Sequence, residues 1–574
     1  TFYGGTSDGK GYFEFMAPAG QYTMIVQSIA AHRREFPVTI EEGKENHFAD
    51  IEIRENINQL EQVVVTGQFS PQSMRNSLYK VRTVNSEQIR QKVPTSVQSL
   101  LNTEIGIRLS NDMALGETDF ELMGMSGNNV KILLDGIPLI DRGATKQSLS
   151  QLDVNSIERV EIVEGPMSVV YGTDALAGVI NIITKKGDGY SEENTWRVGA
   201  RVQEESMGKE YDFFKDKGLH NESIDLGFNH KSGLFVNGGY TRNNHGGWQG
   251  DLTGREKRWH PKDQALMNGM FGFQNRNMNV WYRLDFLDEK IFGPNNGSEL
   301  QPEKVSDKDF LTKRYTHQLQ SDWKLDNRLD VHAALSYQDY KRRTRTTESD
   351  LSTGEKWLSS AEASQDITQY KAWIARATVA WNIAPEFSVQ PGVEYQWTQG
   401  EGGRIDGTPK VSDLAFFLSA EYKPWEWLSL RPGVRTFIVA DYDAPIAIPS
   451  VLTKFKLTKH MDLRLSYAYG FRSPTLQELY FSFHNDNHDI DGNPDLKAEY
   501  SHNITGSVAY RVLHSEKIHL TTTLSGFYND FRDKISLAQN VDIPNYNTYY
   551  NIDRYKTVGG SLENSLSWGG LRAN

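Results

Sequence analysis

From about residue 194 onward, apolar and polar positions alternate at the two-residue period of a β-strand. Met278, Val280, Tyr282, Leu284 and Phe286 share one face; Asn279, Arg283 and Asp285 take the other, with Trp281 the one large apolar side chain among them. Met461, Leu463, Leu465, Tyr467 and Tyr469 oppose Asp462, Arg464 and Ser466 in the same way. Ile224, Leu226 and Phe228 oppose Ser223, Asp225 and Gly227. Strands of this kind suit lipid on one side and a polar lumen on the other, and tyrosines at strand ends suit the membrane interface. Long polar stretches at 243–262, 290–308 and 471–497 alternate with tight spots at 324–327, 424–426 and 514–516. That asymmetry belongs to an outer-membrane barrel; a soluble sandwich or propeller has no reason to segregate long loops from short turns. The pattern predicts about 17 strands after residue 187. Because bacterial barrels have an even number, the remaining strands are expected beyond residue 574.

Upstream the period changes. Residues 1–54 read as a small β-sandwich: Tyr12 to Phe15, Tyr22 to Val26, Phe36 to Ile40, and Ile51 with Ile53 alternate between turn clusters at Ser7 to Gly11 and Ala17 to Gly20. Residues 55–75 form a polar linker holding Glu61-Gln62-Val63-Val64-Val65-Thr66-Gly67. Three consecutive valines favour an extended backbone. They suit either strand addition to a partner's sheet edge or an ordinary strand of the preceding sandwich. Residues 76–187 are mixed α/β. Short helices are predicted from Asn85 or Ser86 and from Ser96, and strands over Val130 to Leu134, Ile157 to Val163 and Val179 to Thr184, the first ending in an Asp135-Gly136 turn.

Composition narrows the classes. In 574 residues no apolar run reaches the ~18 needed for a membrane helix; Val130 to Ile140 is broken by Asp135 and Gly136. The net charge of −12 argues against a general nucleic-acid partner. The absence of cysteine removes disulfides, thiol catalysis and cysteine-ligated zinc. Aromatic residues at 11%, 48 glycines and only 19 prolines fit a barrel. Both ends look cut: there is no initiator Met or signal segment, and Gly570 to Asn574 reads as a stop within a hairpin.

Three blocks in the α/β region carry the family signal. Gly124-Met125-Ser126-Gly127-Asn128-Asn129-Val130 continues to Leu134-Asp135-Gly136-Ile137-Pro138. Ile157-Glu158-Arg159-Val160-Glu161-Ile162-Val163-Glu164-Gly165-Pro166 follows, and then Tyr171-Gly172-Thr173-Asp174-Ala175-Leu176-Ala177-Gly178-Val179-Ile180-Asn181. In this order and spacing they closely resemble the plug of TonB-dependent outer-membrane receptors, and the resemblance covers essentially the whole chain. Residues 1–54 resemble the carboxypeptidase-regulatory-like extension frequent in Bacteroidota members, here N-terminally incomplete. The resemblance implies a plug over 76–187 inside a transmembrane barrel over 188–574, with Glu61 to Gly67 as the TonB box. Arg159, Glu158, Glu161 and Glu164 would pair with the polar barrel wall or form a solvated strand face. Gly470-Phe471-Arg472-Ser473-Pro474-Thr475-Leu476-Gln477-Glu478-Leu479-Tyr480, followed by Gly492-Asn493-Pro494-Asp495-Leu496-Lys497-Ala498-Glu499, resembles the paired boxes of haem and related receptors, with Ser473 in place of the usual Ala.

The resemblance implies active import driven by the TonB complex, with the N-terminus in the periplasm, outer-membrane lipid around the barrel and no covalent cofactor or catalytic residue. The plug apices would be Asn111 to Thr118 and Asp141 to Gln147, which makes Arg142 and Lys146 candidates for an anionic ligand, together with the loop aromatics Phe481 and Phe483. His484 and His488 lie between the two boxes, where haem receptors often place a ligand to iron; a solvated histidine is the plainer alternative. The start of a calcium loop at Asn487 to Gly492 lacks its bidentate Glu, since Ala498 stands there. Neither a Gly-x-Ser-x-Gly elbow nor a P-loop occurs. A complete chain of roughly 690 residues, for about 22 strands, is small for a glycan importer. An iron chelate is therefore the expected cargo, ferric siderophore ahead of haem and cobalamin third. A surface lipoprotein that delivers the ligand is a further expected partner, and a passive adhesin or signalling receptor is the alternative of a different class.

Overall fold

In the computed structural model, all residues are described except 1–2, 6–11, 29–30, 49–50, 52–62, 70, 113–116, 141–146, 188–192, 362, 440, 486–487, 516–517, 544 and 569–570. The N-terminal region is an antiparallel pair, Gly20–Ser28 against Ala31–Ile40, with Met24 opposite Phe36. Tyr12 to Phe15, expected as a strand, has no ladder among the described residues. An alternating segment needs a neighbour to become a strand.

The α/β region forms as its pattern predicts. Asn85 caps helix Ser86–Lys92 and exchanges hydrogen bonds with Gln88, and Ser96 with Ser99 does the same for Val97–Leu101. The sheet runs Ile137–Pro138, Val130–Leu134, Gly178–Thr184, Ile157–Glu164, Lys80–Asn85. Val130–Leu134 and Gly178–Thr184 are parallel and buried along their whole lengths, which is why they read as continuous apolar runs. Between Leu134 and Ile137 the chain reverses through Asp135 and Gly136, both at positive φ (50° and 85°). That is the two-residue hairpin geometry for which Asp-Gly is preferred.

From Thr195 to Ala573 one sheet of 20 strands follows chain order. Three short strands, Lys356–Leu358, Ser482–Asn485 and His488–Asp491, belong to the loops, leaving the 17 that the alternation predicts. Among the described residues the first and last strands do not pair with each other. Strand Met461–Arg472 shows the two faces: Leu465 is 46% exposed on the outside, whereas Asp462, facing the lumen, is 2% exposed. Trp281 also points inward, beneath the Lys186 ammonium at 4.7 Å and against Phe235 and Met270. It is an apolar member of a polar face because the plug covers it.

Turns at one end span residues 325–328, 385–386, 426–427 and 459–460; loops at the other span 206–218, 246–261, 294–303 and 473–498. The expected loop at 290–308 is shorter, because Met278–Gly293 and Lys304–Lys324 run on past it. A barrel strand crosses lipid in ~9–11 residues, so strands of 21 to 23 residues such as Lys304–Lys324 and Tyr546–Trp568 rise well beyond the membrane. No described helix is long and apolar enough to cross a bilayer.

The α/β plug fills the lumen, and the wall holds it largely by its main chain. Gln318, Gln320 and Gln338 donate to the carbonyls of Leu134, Asp135 and Pro138 at 3.3, 2.9 and 2.7 Å. Gln264 and Arg314 donate to those of Ser150 and Gln151 at 3.0 and 2.8 Å. Plug carbonyls at the sheet's edge hairpin and in the loops thereby gain partners from the wall.

Candidate functional site

The valine segment is not a strand of the N-terminal unit. Val63–Val64 pairs instead with Gln72–Ser73, a two-residue ladder between polar neighbours. Val64 is fully buried with Leu78, Tyr79, Leu133, Met167 and Val179. Beyond it the backbone is held by a single carboxylate. Glu161, 0% exposed, accepts from Val65 N at 3.1 Å and from Thr66 by both amide (2.8 Å) and hydroxyl (2.5 Å). Arg159 supplies the countercharge at 2.9 Å. Asn181 donates to the Thr66 hydroxyl at 2.9 Å, Gly67 N donates to the Tyr171 hydroxyl at 3.1 Å, and the Arg431 guanidinium donates to the Gly67 carbonyl. Burial pushes the Tyr171 phenol up despite nearby Arg376, so it stays a neutral hydroxyl free to accept. Gly67 itself is obligatory: at φ +70° a Cβ would lie 2.4 Å from the Met167 methyl. Glu61 and Gln62 lie outside the described residues.

The charged run 158–164 divides between uses. Glu158 is exposed, as a solvated strand face would have it. Glu161 turns neither to the wall nor to solvent but to the valine segment. Glu164 pairs with Lys80 and Arg82 at 2.9 and 2.8 Å, and Lys80 in turn reaches the wall at Glu563 (2.6 Å).

At the far end of the lumen the two sequence boxes meet. Arg472 forks onto Glu478 at 2.9 and 3.1 Å and reaches Glu499 at 3.1 Å, all three side chains buried. Thr475 caps helix Leu476–Tyr480 in a reciprocal box with Glu478, so one carboxylate serves both the helix start and the ion pair. Joined through Arg472, this triad fixes the base of loop 473–498. From it rises the hairpin Ser482–Asn485/His488–Asp491, which lies parallel to Tyr546–Trp568. Phe481 bridges to Ile405, and Phe483 lies under the Arg404 guanidinium at 4.2 Å.

His484 is 48% exposed and uses both ring nitrogens: one meets Asp489 at 2.6 Å, the other Ser482 at 3.1 Å and Asp491 at 3.0 Å. The hydrogen bond to Asp489, then the charge of Asp491, hold its pKa above the ordinary 6.5 despite slight desolvation. Phe481, Phe483 and His484 are therefore brought together on one loop. His488 enters the same hairpin by its backbone, opposite Asn485. Arg142 and Lys146 lie outside the described residues. Among the described residues no group of three His, Asp or Glu side chains is arranged to hold a metal ion.

Two contacts had no signal in the sequence. Glu161 binds a segment 95 residues away, and Thr173 accepts from Ser473 N at 2.8 Å across 300 residues. Both depend on backbone donors, which leave no trace in residue type.

Comparison with known proteins agrees with this architecture. The model of the TonB dependent receptor-like β-barrel matches residues 390–574, that of the TonB-dependent receptor plug domain 73–179, and that of the CarboxypepD_reg-like domain 1–65. Over 508 residues the chain is 25% identical to the iron-regulated outer membrane virulence protein of Vibrio cholerae, covering 83% of this chain and 69% of that protein. Among solved structures, the siderophore receptor PirA from Pseudomonas aeruginosa is similar in fold: TM-score 0.65, 17% identity, 85% of this chain and 81% of that one. The hemophore receptor HasR of Serratia marcescens, solved with its hemophore HasA and heme, gives a TM-score of 0.65 at 14% identity, covering 86% and 80%.

Proposed function

We propose a cargo and a coupling segment for this chain, which is a TonB-dependent receptor of the outer membrane with plug, barrel and a carboxypeptidase-regulatory-like N-terminal domain. It imports a ferric siderophore, and Glu61 to Gly67 is the TonB box, offered on the periplasmic side. The observation that carries the coupling role is the form of the valine segment's attachment: a two-residue ladder, the Glu161 carboxylate and single bonds to Asn181, Tyr171 and Arg431 hold it. A strand so briefly paired can leave the plug and add to a partner's sheet edge, where main-chain hydrogen bonds supply the affinity. Ligand at the outer loops acts by shifting the segment from docked to extended populations.

For the cargo, the siderophore receptor PirA supports the leading reading and the hemophore receptor HasR supports haem as the second. The state of His484 favours the first. An axial imidazole needs a nitrogen free for iron, whereas both nitrogens of His484 are engaged by Ser482, Asp489 and Asp491. Siderophore recognition instead falls to Arg142, Lys146, Phe481 and Phe483, by charge and by ring faces. Cobalamin ranks third, and delivery by a surface lipoprotein is compatible with any of the three. The deciding experiment is growth of the His484→Ala/His488→Ala double variant, separately on haem and on ferric siderophores. Siderophore growth that survives this change and fails in Arg142→Ala supports the reading. Loss of growth on haem alone, with the parent using haem well, overturns it. If the parent grows on neither, cobalamin takes first place.

A further inference from the structure

Tyr171, Gly172 and Thr173 are consecutive, yet their two ends touch opposite parts of the molecule. The Tyr171 hydroxyl accepts from Gly67 N at 3.1 Å, at the end of the valine segment. The Thr173 hydroxyl oxygen accepts from Ser473 N at 2.8 Å and lies 3.1 Å from the Ser473 hydroxyl, where loop 473–498 leaves the barrel wall. Asp174 N adds a bond to the Phe471 carbonyl at 3.3 Å. Both Tyr171 and Thr173 are buried, and the contact at Gly67 is buried with them, so its loss leaves a donor without a ready partner.

The piece between them has little freedom to absorb a displacement. Gly172 sits at φ +76°, where an added Cβ would lie 2.9 Å from an Arg435 nitrogen. Arg435 is held by Glu394 at 2.6 Å, and Glu394 by Arg376 at 3.0 Å. Arg376 in turn lies over the Tyr171 ring at 5.0 Å. On the other side, Lys131 donates to the Thr173 carbonyl at 3.0 Å and pairs with Asp174 at 3.5 Å. Tyr171 closes a helical turn on the Met167 carbonyl at 2.9 Å. A shift at Ser473 therefore moves a short, clamped piece of chain whose other end is the Gly67 contact.

We propose that Tyr171 and Thr173 are positioning residues that couple the base of loop 473–498 to the docked valine segment, so that rearranging this loop releases Gly67 and weakens the docking of Val65 and Thr66. This rests on the reading of residues 61–67 as a segment that docks and undocks. Coupling of this kind is reciprocal: undocking the segment loosens the loop base by the same factor.

The test uses the absence of cysteine in the chain. Val65→Cys is introduced, and its maleimide modification rate is followed in isolated outer membranes, with the heat-modifiable folded barrel confirmed for each variant. Glu161→Gln, which acts at the dock directly, must raise the rate; if it does not, the docking reading itself falls. Given that rise, Thr173→Val and Ser473→Pro, which acts by removing the Ser473 N–H, are each expected to raise the rate about 5-fold or more, the low end of ordinary coupling. The two together should exceed the larger single effect little, because they cut the same link. Asn155→Ala, at a different contact between plug and wall, should leave the rate at the parental value. A parental rate in Thr173→Val and Ser473→Pro, while Glu161→Gln is fast, overturns the coupling and leaves the docking reading standing. Equal acceleration by Asn155→Ala also overturns it, since any loosening of the plug would then suffice.

Discussion

Thr66 is bound to Glu161 twice, by its amide at 2.8 Å and by its hydroxyl at 2.5 Å, inside a plug where that carboxylate has no exposed surface. A buried carboxylate is tolerated only when its charge is answered. Here the answer is divided between Arg159 and the donors of the segment proposed to leave the plug.

Glu161→Gln should release the segment without ligand. Bonds to a charged acceptor are worth about 1.5–3 kcal/mol each, and a neutral amide keeps only part of that. Limited proteolysis should then cleave near residues 63–67 in the variant faster than in the parent. Unchanged cleavage would show that the two-residue ladder alone suffices.

Val64→Pro takes a donor out of any added strand and fills a buried position poorly. Uptake should vanish while ligand binding at the cell surface persists. Parallel loss of binding would mean that the segment serves the fold and not the coupling.

Leu465→Arg places a charge on the lipid face and should cost about 2–4 kcal/mol near the midplane, visible as less heat-modifiable receptor. Arg464→Leu should assemble nearly normally, because it faces the lumen. It removes donors to the Ser77 and Arg75 carbonyls at 3.0 and 2.9 Å, so its effect should appear as greater permeability to large antibiotics. Equal loss of barrel in both variants would contradict the register.

Arg472→Ala strands two buried carboxylates, Glu478 and Glu499, a defect worth about 3–5 kcal/mol. Protease sensitivity should rise within loop 473–498 while the barrel remains folded. Arg472→Lys should be nearly as damaging, since an ammonium cannot span both partners.

The His484 hairpin should loosen with rising pH. Its partners hold the imidazole pKa above 6.5, so the stabilisation is complete below that value and is lost as pH rises through the higher folded value. Amide exchange in 482–491 should therefore speed up on the alkaline side beyond its intrinsic pH dependence, and His484→Gln should remove the excess.

The barrel was legible wherever lipid touches it, because lipid on one face imposes the two-residue period; hence the agreement on 17 wall strands and on the inward turn of Asp462 and Arg464. Above the membrane both faces are wet and the period dissolves. Lys304-Val305-Ser306-Asp307-Lys308 reads as a loop for that reason, although it begins a strand of 21 residues. In the plug, apolar runs and capping residues disclosed the sheet and both helices. The site was legible only in part. The valines marked a segment apart from the sheets, but Glu161 reads as one more glutamate in a charged alternation, and only its burial shows that it binds the Val65 and Thr66 amides. Arg472, Glu478 and Glu499 all lie in the two boxes, but their pairing with one another was not legible.

The glutamines that hold the plug have a consequence for how it can vary. Gln318, Gln320 and Gln338 grip carbonyls, a feature every amino acid presents alike. Substitutions along 134–138 that preserve the path of the chain leave these grips intact, so this stopper can diversify its side chains without losing its seat. The same grips must break wherever the carbonyls turn or move away from the wall, so any displacement of the plug, of the kind proposed for import, has first to overcome them.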